Sequence, residues 1–457
     1  MHLIRILYKR GQRALLDFEL NPAQYIIAGF VFVILVGTIL LSTPLATTSK
    51  ASLSLVDAFF MAASATCVTG LSVIDTATDL SMFGQIVIIC LVQLGGLGVM
   101  SFTTIFAVYV GKKIGIKERL MVKESFNQLT VNGLVKLVKL VVFTALAIQF
   151  FGGVLLSWQF FPHYGMYGIY LGFWHAISAF CNAGFDILVN SQSLFHESIG
   201  SISLLIFSFL IITGGVGFGV IQELAHYSGW KKLSFHARIV LSMTFALLII
   251  GTVSIFALER NNPATLGSQH AAQQIFTSFF MATSTRTAGF SLIDLESSES
   301  ATKLFIASQM FIGASPASVG GGVKTTTALV VALTLLAYIK NKHAPTIFER
   351  EISQSTSLKA FVVTILSFSY IALTTLLLTV TESQAHDVMD LLFETTSAFA
   401  TVGLSTGITD TLTTPGKIII TVTMLVGRIG LLTLMLAFLR HKQPSHLQRP
   451  HAKILIG

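Results

Sequence analysis

Four glycines, Gly70, Gly184, Gly289 and Gly403, each end a segment of the same kind. The segments read VDAFFMAASATCVTGLS, LGFWHAISAFCNAGFD, IFTSFFMATSTRTAGFS and DLLFETTSAFATVGLS, and they align on the glycine without gaps. An aromatic residue stands ten positions before each glycine (Phe60, Trp174, Phe279, Phe393). A small hydroxyl residue stands six before it (Ser64, Ser178, Thr283, Ser397), and Leu71, Phe185, Phe290 or Leu404 follows. The glycines are 114, 105 and 114 residues apart, so the chain carries a four-fold internal repeat.

The runs at the glycines are Val68-Thr69-Gly70, Asn182-Ala183-Gly184, Thr287-Ala288-Gly289 and Thr401-Val402-Gly403. With the residues that precede them, Cys67, Cys181, Arg286 and Ala400, these linings are mostly uncharged, which leaves backbone carbonyls as the recurring ligands. Carbonyl oxygens can replace the hydration shell of K⁺, whereas a carboxylate ring would point to a divalent or less selective cation site. Glycine reaches φ > 0 at little cost and lets the chain turn its carbonyls to one side. The helix before each glycine would aim its negative C-terminal end at the site. Asp57 and Asp390, both thirteen residues before their glycines, would match the positive N-terminal ends.

The elements that hold these runs belong in a bilayer. Of 457 residues, 53% are hydrophobic and 11% charged, against roughly 25% charged in a soluble domain. Apolar runs near the roughly 20 residues needed to cross a membrane recur at Gln24–Leu45, Ile86–Val110, Leu137–Leu156, Ile239–Leu258 and Phe361–Val380. The first resembles a signal peptide in its basic leader (Arg5, Lys9, Arg10, Arg13), but its apolar core is too long and it reads as a retained span. The segments before the aligned glycines, about 12 residues each, are too short to span and suit re-entrant helices. The expected architecture is an all-α integral membrane protein of four helix–re-entrant loop–helix repeats around one pore, with eight spanning and four pore helices. The expected boundaries are 1–23 for a basic cytoplasmic leader, 24–111, 134–226, 237–340 and 358–440 for the repeats, and 441–457 for a cytoplasmic tail.

A glycine patch follows each aligned glycine by 24 to 31 residues: GGLG at Gly95–Gly98, GGVG at Gly214–Gly217, GGGV at Gly320–Val323 and GRIG at Gly427–Gly430. Close helix packing explains these patches well and the aligned segments poorly, because non-helical backbone at membrane depth must line a water-filled path or be buried in protein. In repeat three the patch extends into Gly313-Ala314-Ser315-Pro316 through Gly320-Gly321-Gly322-Val323-Lys324. Its four glycines at about 1 kcal/mol each and its proline at about 3 make an unbroken helix unfavourable by roughly 7 kcal/mol. A loop inside the membrane is expected on the pore side. The GGGVKT run lacks the spacing of a phosphate-binding loop. Arg428 replaces the second glycine of the fourth patch and lies about 18 Å along a helix from Arg440. A charge at such depth costs about 2.5 kcal/mol or more, so it is expected beneath the filter, binding carbonyls of the Gly313–Lys324 loop. Arg286, inside the third filter run, is expected to point outward to an acidic partner such as Glu394.

The four segments, with the TVGLS run at Thr401–Ser405 and the STRTAGFS run at Ser284–Ser291, resemble the Trk/Ktr/HKT superfamily of potassium transporters, and the short leader resembles its KtrB-type membrane subunits. The resemblance implies a K⁺-translocating subunit in a bacterial cytoplasmic membrane, with K⁺ at the filter carbonyls and Na⁺ coupling left open. It also implies a homodimer with one pore per subunit and a cytoplasmic KtrA-like nucleotide-binding ring, so that any nucleotide sits on the partner. It makes Gly313–Lys324 the intramembrane gate. With one glycine per repeat, the filter would be shorter than that of tetrameric K⁺ channels.

Other classes fit less well. An ion-coupled secondary transporter for another small cation usually shows two inverted halves. An enzyme is not expected, since no G-x-S-x-G, H-E-x-x-H or paired catalytic carboxylates occur in the spans. Cys67, Cys90 and Cys181 form no C-x-x-C pair, and His175 has no second ligand at metal spacing. The net charge of +8 reports topology rather than nucleic acid, because 22 of the 29 Lys and Arg fall in five stretches: the leader, Lys112–Lys139, Lys231–Arg238, Lys340–Lys359 and Arg440–Lys453. These are cytoplasmic by the positive-inside rule. Tags near Lys123, Lys232 and Lys342 are therefore expected on the cytoplasmic side, and tags near Ser49, Ser193, Glu299 and Asp410 outside. Labelling that put Lys123 and Lys232 on opposite sides would overturn this topology.

Overall fold

A computed structural model describes residues 22–98, 134–188, 200–382 and 385–438. The basic leader, the C-terminal tail and most of the Lys112–Lys139 stretch lie outside the described residues. Each repeat begins with a long apolar helix: α1 (Pro22–Leu41), α4 (Leu134–Tyr164), α8 (Phe235–Glu259) and α12 (Gln354–Thr381). Each continues with a short helix that ends at the aligned segment: α2 (Leu55–Cys67), α5 (Met166–Phe180), α9 (Ala271–Ser284) and α13 (Val388–Ala400). Hydroxyl caps set several starts. Ser54 accepts from the amide of Asp57 at 3.1 Å, and Ser234 from that of Ala237 at 3.1 Å.

The third element is interrupted in repeats two, three and four. Helix α6 (Ser201–Val216) turns by 110° into α7 (Phe218–Ala225) at Gly217, whose φ is +101°. Helix α10 (Ser300–Phe311) is separated from α11 (Thr325–Ile339) by residues 312–324. Helix α14 (Thr414–Ile429) gives way to α15 (Leu431–Phe438) at Gly430, φ +87°. Helix α3 (Met82–Gly96) ends just before Gly98, φ +85°. The sequence led us to expect this break in repeat three alone. It recurs in repeats two and four because Gly217 and Gly430 are left-handed, a conformation that cannot continue a right-handed helix. Among the described residues, four helices are long and apolar enough to cross a membrane, or five if α6 and α7 count as one span. Their outer faces expose Phe32, Phe143, Trp158, Phe245 and Phe368, an apolar surface that a bilayer can cover and water cannot. Among the described residues the regular structure is helical apart from a hairpin, β1 (Thr346–Ile347) and β2 (Arg350–Glu351). The chain is a multi-pass membrane protein.

Packing joins the repeats cyclically. The helix that follows each short helix packs on the short helix of the next repeat: α3 on α5, α6 on α9, α10 on α13, and α14 back on α2. Within a repeat, the glycine patches let the same helix lie close on its own short helix. A Cβ on Gly95, Gly214 or Gly427 would collide with the carbonyl of Thr66, Phe180 or Phe399, each four residues before its aligned glycine. Two ion pairs mark the outer seams. Lys303 on α10 meets Asp390 of α13 at 2.9 Å, and Lys417 on α14 meets Asp57 of α2 at 2.8 Å. Both lysines stand fourteen residues after their own repeat's glycine.

Candidate functional site

The four aligned glycines meet at one point. Their φ values are +92°, +70°, +79° and +93°. A Cβ on Gly70 would strike the carbonyl of Ala183, and one on Gly184 would lie 2.8 Å from that of Ala288. One on Gly289 would strike Val402, and one on Gly403 would strike Thr69. Each glycine thus faces the carbonyl preceding the next glycine, and the fourth faces the first. Two residues before the glycines, Val68, Asn182, Thr287 and Thr401 are also left-handed, at φ of +59°, +55°, +70° and +51°. For a β-branched residue this region is an outlier, and strain of roughly 1–3 kcal/mol per residue survives only where the surroundings enforce it.

Short helices and hydroxyls enforce it here. The backbone amides of Thr69, Ala183 and Val402 each return to the carbonyl of the hydroxyl residue six before the glycine, at 2.8, 2.8 and 2.9 Å. The Ser64 and Ser397 side chains then accept from the amides of Gly70 and Gly403, at 3.2 and 3.0 Å. Ser178 instead donates to the Phe185 carbonyl at 2.8 Å. Thr283 turns back on its own helix, and the Ser284 carbonyl accepts from Ala288 at 2.9 Å. Asn182 ties repeat two to repeat three, donating to Thr287 Oγ1 at 3.2 Å.

On one side of the glycine ring lies a cavity of about 960 Å³ formed by residues from all four repeats. Asp75, Asp79, Asp186, Asp294, Glu296 and Asp410 line it, with no Lys or Arg. These carboxylates, two to nine residues after their glycines, escaped the sequence reading. The signal was available, since every repeat has at least one acidic residue within that distance. Such a lining concentrates cations at the ring.

The opposite side of the ring is covered by the segment between α10 and α11. Gly321 donates its amide to Thr401 Oγ1 at 3.0 Å, and a Cβ on Gly320 would collide with Thr287 Oγ1. Gly313 and Val323 pair by a backbone bond of 2.9 Å, which closes the segment into a loop. Pro316 and Ala317 lie against Gly217, and the Ala317 carbonyl accepts from the amide of Phe218 at 3.1 Å. Ala314 is fully buried, and Ser315 bonds Thr325 Oγ1 at 3.0 Å. Lys324 donates to the loop's own Gly320 carbonyl at 2.6 Å. Gly322 packs on Gly313 and Ala400. Arg428 donates to the Val319 carbonyl of the loop, to that of Gly95 where α3 ends, and to that of Gly96 at 3.3 Å. The guanidinium fork thus joins three repeats through carbonyls freed by broken helices.

The structure corrects the expectation for Arg286. The residue is 4% exposed, and its terminal nitrogens have no hydrogen-bond partner. Glu394 is bonded to Thr409 instead. The two groups do not pair, because Glu394 lies within the helix of repeat four and turns to the strand leaving its own filter run. His175 was noted in the sequence only for lacking a second metal ligand; it bonds Asp186 at 2.8 Å.

A ring of four sequence-related backbone turns, between an acidic cavity and a glycine loop, defines a cation-transport protein built on one pseudo-fourfold axis. The family model of TrkH, described as a cation transport protein, matches residues 21–449. The chain is 40% identical over 439 residues to Ktr system potassium uptake protein B of Bacillus subtilis, covering 96% of this chain and 97% of that one. It is 35% identical to potassium/sodium uptake protein NtpJ of Enterococcus hirae, covering 96% and 98%. The crystal structure of the potassium transporter TrkH from Vibrio parahaemolyticus matches with a TM-score of 0.68 at 19% identity, over 93% of this chain and 86% of that one. The chain belongs to the TrkH family, and it is a transporter rather than an enzyme.

The ring geometry sets the outcome of glycine substitution. Gly70→Ala, Gly289→Ala and Gly403→Ala must each displace backbone of the next repeat and strain their own φ. Each is expected to lower cation transport at least tenfold at unchanged membrane abundance, measured by ion uptake into cells. Wild-type uptake and ion preference in all three would show that the ring does not contact the permeating ion.

Proposed function

We propose that the chain is the K⁺-translocating subunit of a bacterial K⁺ uptake system, with a filter of backbone carbonyls and a loop gate beneath it. The observation that carries this reading is the closed ring of four glycines, each against the carbonyl before the next. The filter comprises Val68-Thr69-Gly70, Asn182-Ala183-Gly184, Thr287-Ala288-Gly289 and Thr401-Val402-Gly403. In each run left-handed residues flank one that lies outside that region, an alternation that turns successive carbonyls to one side. Uncharged oxygens then replace the hydration shell of K⁺, and the short helices point their negative ends at the ion. The six carboxylates of the outer cavity gather cations at its mouth.

In this reading the third element of each repeat counts with the four long helices as eight spans, and the short helices are re-entrant. The relatives named for K⁺ uptake support the choice of ion, and the potassium/sodium relative supports a dependence on Na⁺. The name Ktr system implies further components. We assign the chain to a homodimer in the cytoplasmic membrane, both termini inside, regulated by a cytoplasmic nucleotide-binding ring.

The gate is the Gly313–Lys324 loop, held by Arg428. Closed, it seals the inner end of the filter with backbone, and the guanidinium adds positive charge in the path. Opening requires that Arg428 release the Val319 carbonyl and that the loop leave Thr287 and Thr401. Its glycines give it little side-chain packing to lose. Expression in a bacterium lacking its own K⁺ uptake should restore growth at low K⁺. Deletion of Ala317–Gly322 should raise K⁺ flux and reduce its dependence on the regulatory subunit, with Arg428→Ala acting in the same direction less strongly. If a deletion variant of normal membrane abundance gave unchanged or lower maximal flux, the gate would lie elsewhere.

A further inference from the structure

The position nine residues before each aligned glycine holds Met61, His175, Phe280 and Glu394, and the position two after it holds Ser72, Asp186, Ser291 and Ser405. In three repeats these two positions are joined behind the filter. Ser72 donates to Met61 Sδ at 3.3 Å in repeat one. His175 Nε2 meets Asp186 Oδ1 at 2.8 Å in repeat two. In repeat four the Thr409 hydroxyl bonds Glu394 and lies 2.9 Å from Ser405 Oγ. Repeat three uses the neighbouring Met281, 3.6 Å from Ser291 Oγ. Each short helix thus carries a strut to the strand that leaves the filter. The struts of repeats two and four, across the ring from each other, are built on a histidine and a carboxylate.

We propose that His175 is a positioning residue that sets cation preference by fixing the outer lip of the repeat-two filter through Asp186. The inference rests on the filter reading above. Its ring is fully buried, clamped edge-on by Trp174 of its own helix, Phe160 of α4 and Phe207 of α6, with centroids 5.3, 6.0 and 5.9 Å away. The Leu171 carbonyl lies 2.7 Å from Nδ1, and Nε2 meets both the Asp186 carboxylate and, at 3.4 Å, the Ile187 amide. The ring is held at both ends and cannot swing away. Asp186 Oδ1 also accepts from the Leu188 amide at 2.7 Å, so the strand beyond Gly184 is fastened to the same point. Asp186 lines the outer cavity two residues from Gly184. A shift of this carboxylate therefore moves both a vestibule charge and the backbone that leads into the filter.

The strut is bound to the filter lip, not to the gate, so its loss should alter affinity and preference while leaving maximal flux. His175→Leu is expected to raise the KM for K⁺ several-fold, because the Asp186 carboxylate loses the partner that fixes it beside Gly184. It should also lower the K⁺/Na⁺ preference, with maximal uptake per membrane-inserted protein within about twofold of wild type. His175→Gln, whose amide can reach Asp186, should restore KM and preference. Where His175→Leu fails to reach the membrane, His175→Asn decides, since its amide is too short: a raised KM supports the proposal and a wild-type KM overturns it. Unchanged KM and preference in His175→Leu, with wild-type protein selective for K⁺ and Gly403→Ala impaired, would refute the strut alone. Absence of K⁺ preference in the wild type would instead refute the filter reading.

Discussion

The contact on which the rest of the structure depends is that of four glycines with one another's repeats. Where a Cβ would stand on Gly70, Gly184, Gly289 or Gly403, the backbone of the next repeat already stands. No other residue permits that approach together with a positive φ. The ring also needs four equivalent walls. These come from short helices that stop three to five residues before the glycine and are packed by the helix of the preceding repeat. Within each of three repeats, a glycine of the following helix also lies on a carbonyl near the stop: Gly95 on Thr66, Gly214 on Phe180, Gly427 on Phe399. Close approach is therefore solved twice, once at the axis and once behind it.

The same need for backbone contact explains why the elements below the ring are broken. A continuous helix would keep its carbonyls to itself. Interruption at Gly217, at residues 312–324 and at Gly430 frees carbonyls and amides inside the membrane, where each needs a partner. Several satisfy one another: the Phe218 amide takes the Ala317 carbonyl, and the Ser315 and Val319 amides take those of Gly215 and Gly214. Arg428 takes those of Val319, Gly95 and Gly96. A buried arginine that would be costly alone is stabilised by the acceptors that the breaks expose.

The repeat, the glycine ring and the nearness of Arg428 to the glycine loop were legible because each leaves a mark on composition: an aligned glycine, a patch, a charge in an apolar run. The patches read as packing glycines, and Gly95, Gly214 and Gly427 do pack on neighbouring carbonyls. The breaks in the other repeats were not legible, because whether one glycine bends a helix depends on what its freed groups meet. Lys303 and Lys417 lie outside the five basic stretches that mark the cytoplasmic side. Their ion pairs with Asp390 and Asp57 cross from one repeat to the next, which only the cyclic order of packing reveals. Pairing Arg286 with Glu394 failed for a related reason. Opposite charge suggested a partner, but the Glu394 side chain is already committed to Thr409. The acidic cavity was missed because no single offset after the glycine is acidic in all four repeats, and its carboxylates converge only in three dimensions.

The central claim is that the glycine ring passes K⁺ in preference to Na⁺. The most direct test is the reversal potential of the purified protein in a planar bilayer, with K⁺ on one side and graded mixtures of K⁺ and Na⁺ on the other, any regulatory subunit held in its activating state. The account predicts a current whose reversal potential follows the K⁺ gradient and moves away from zero as Na⁺ replaces K⁺ on one side. A reversal potential that stays at zero through that substitution would contradict it.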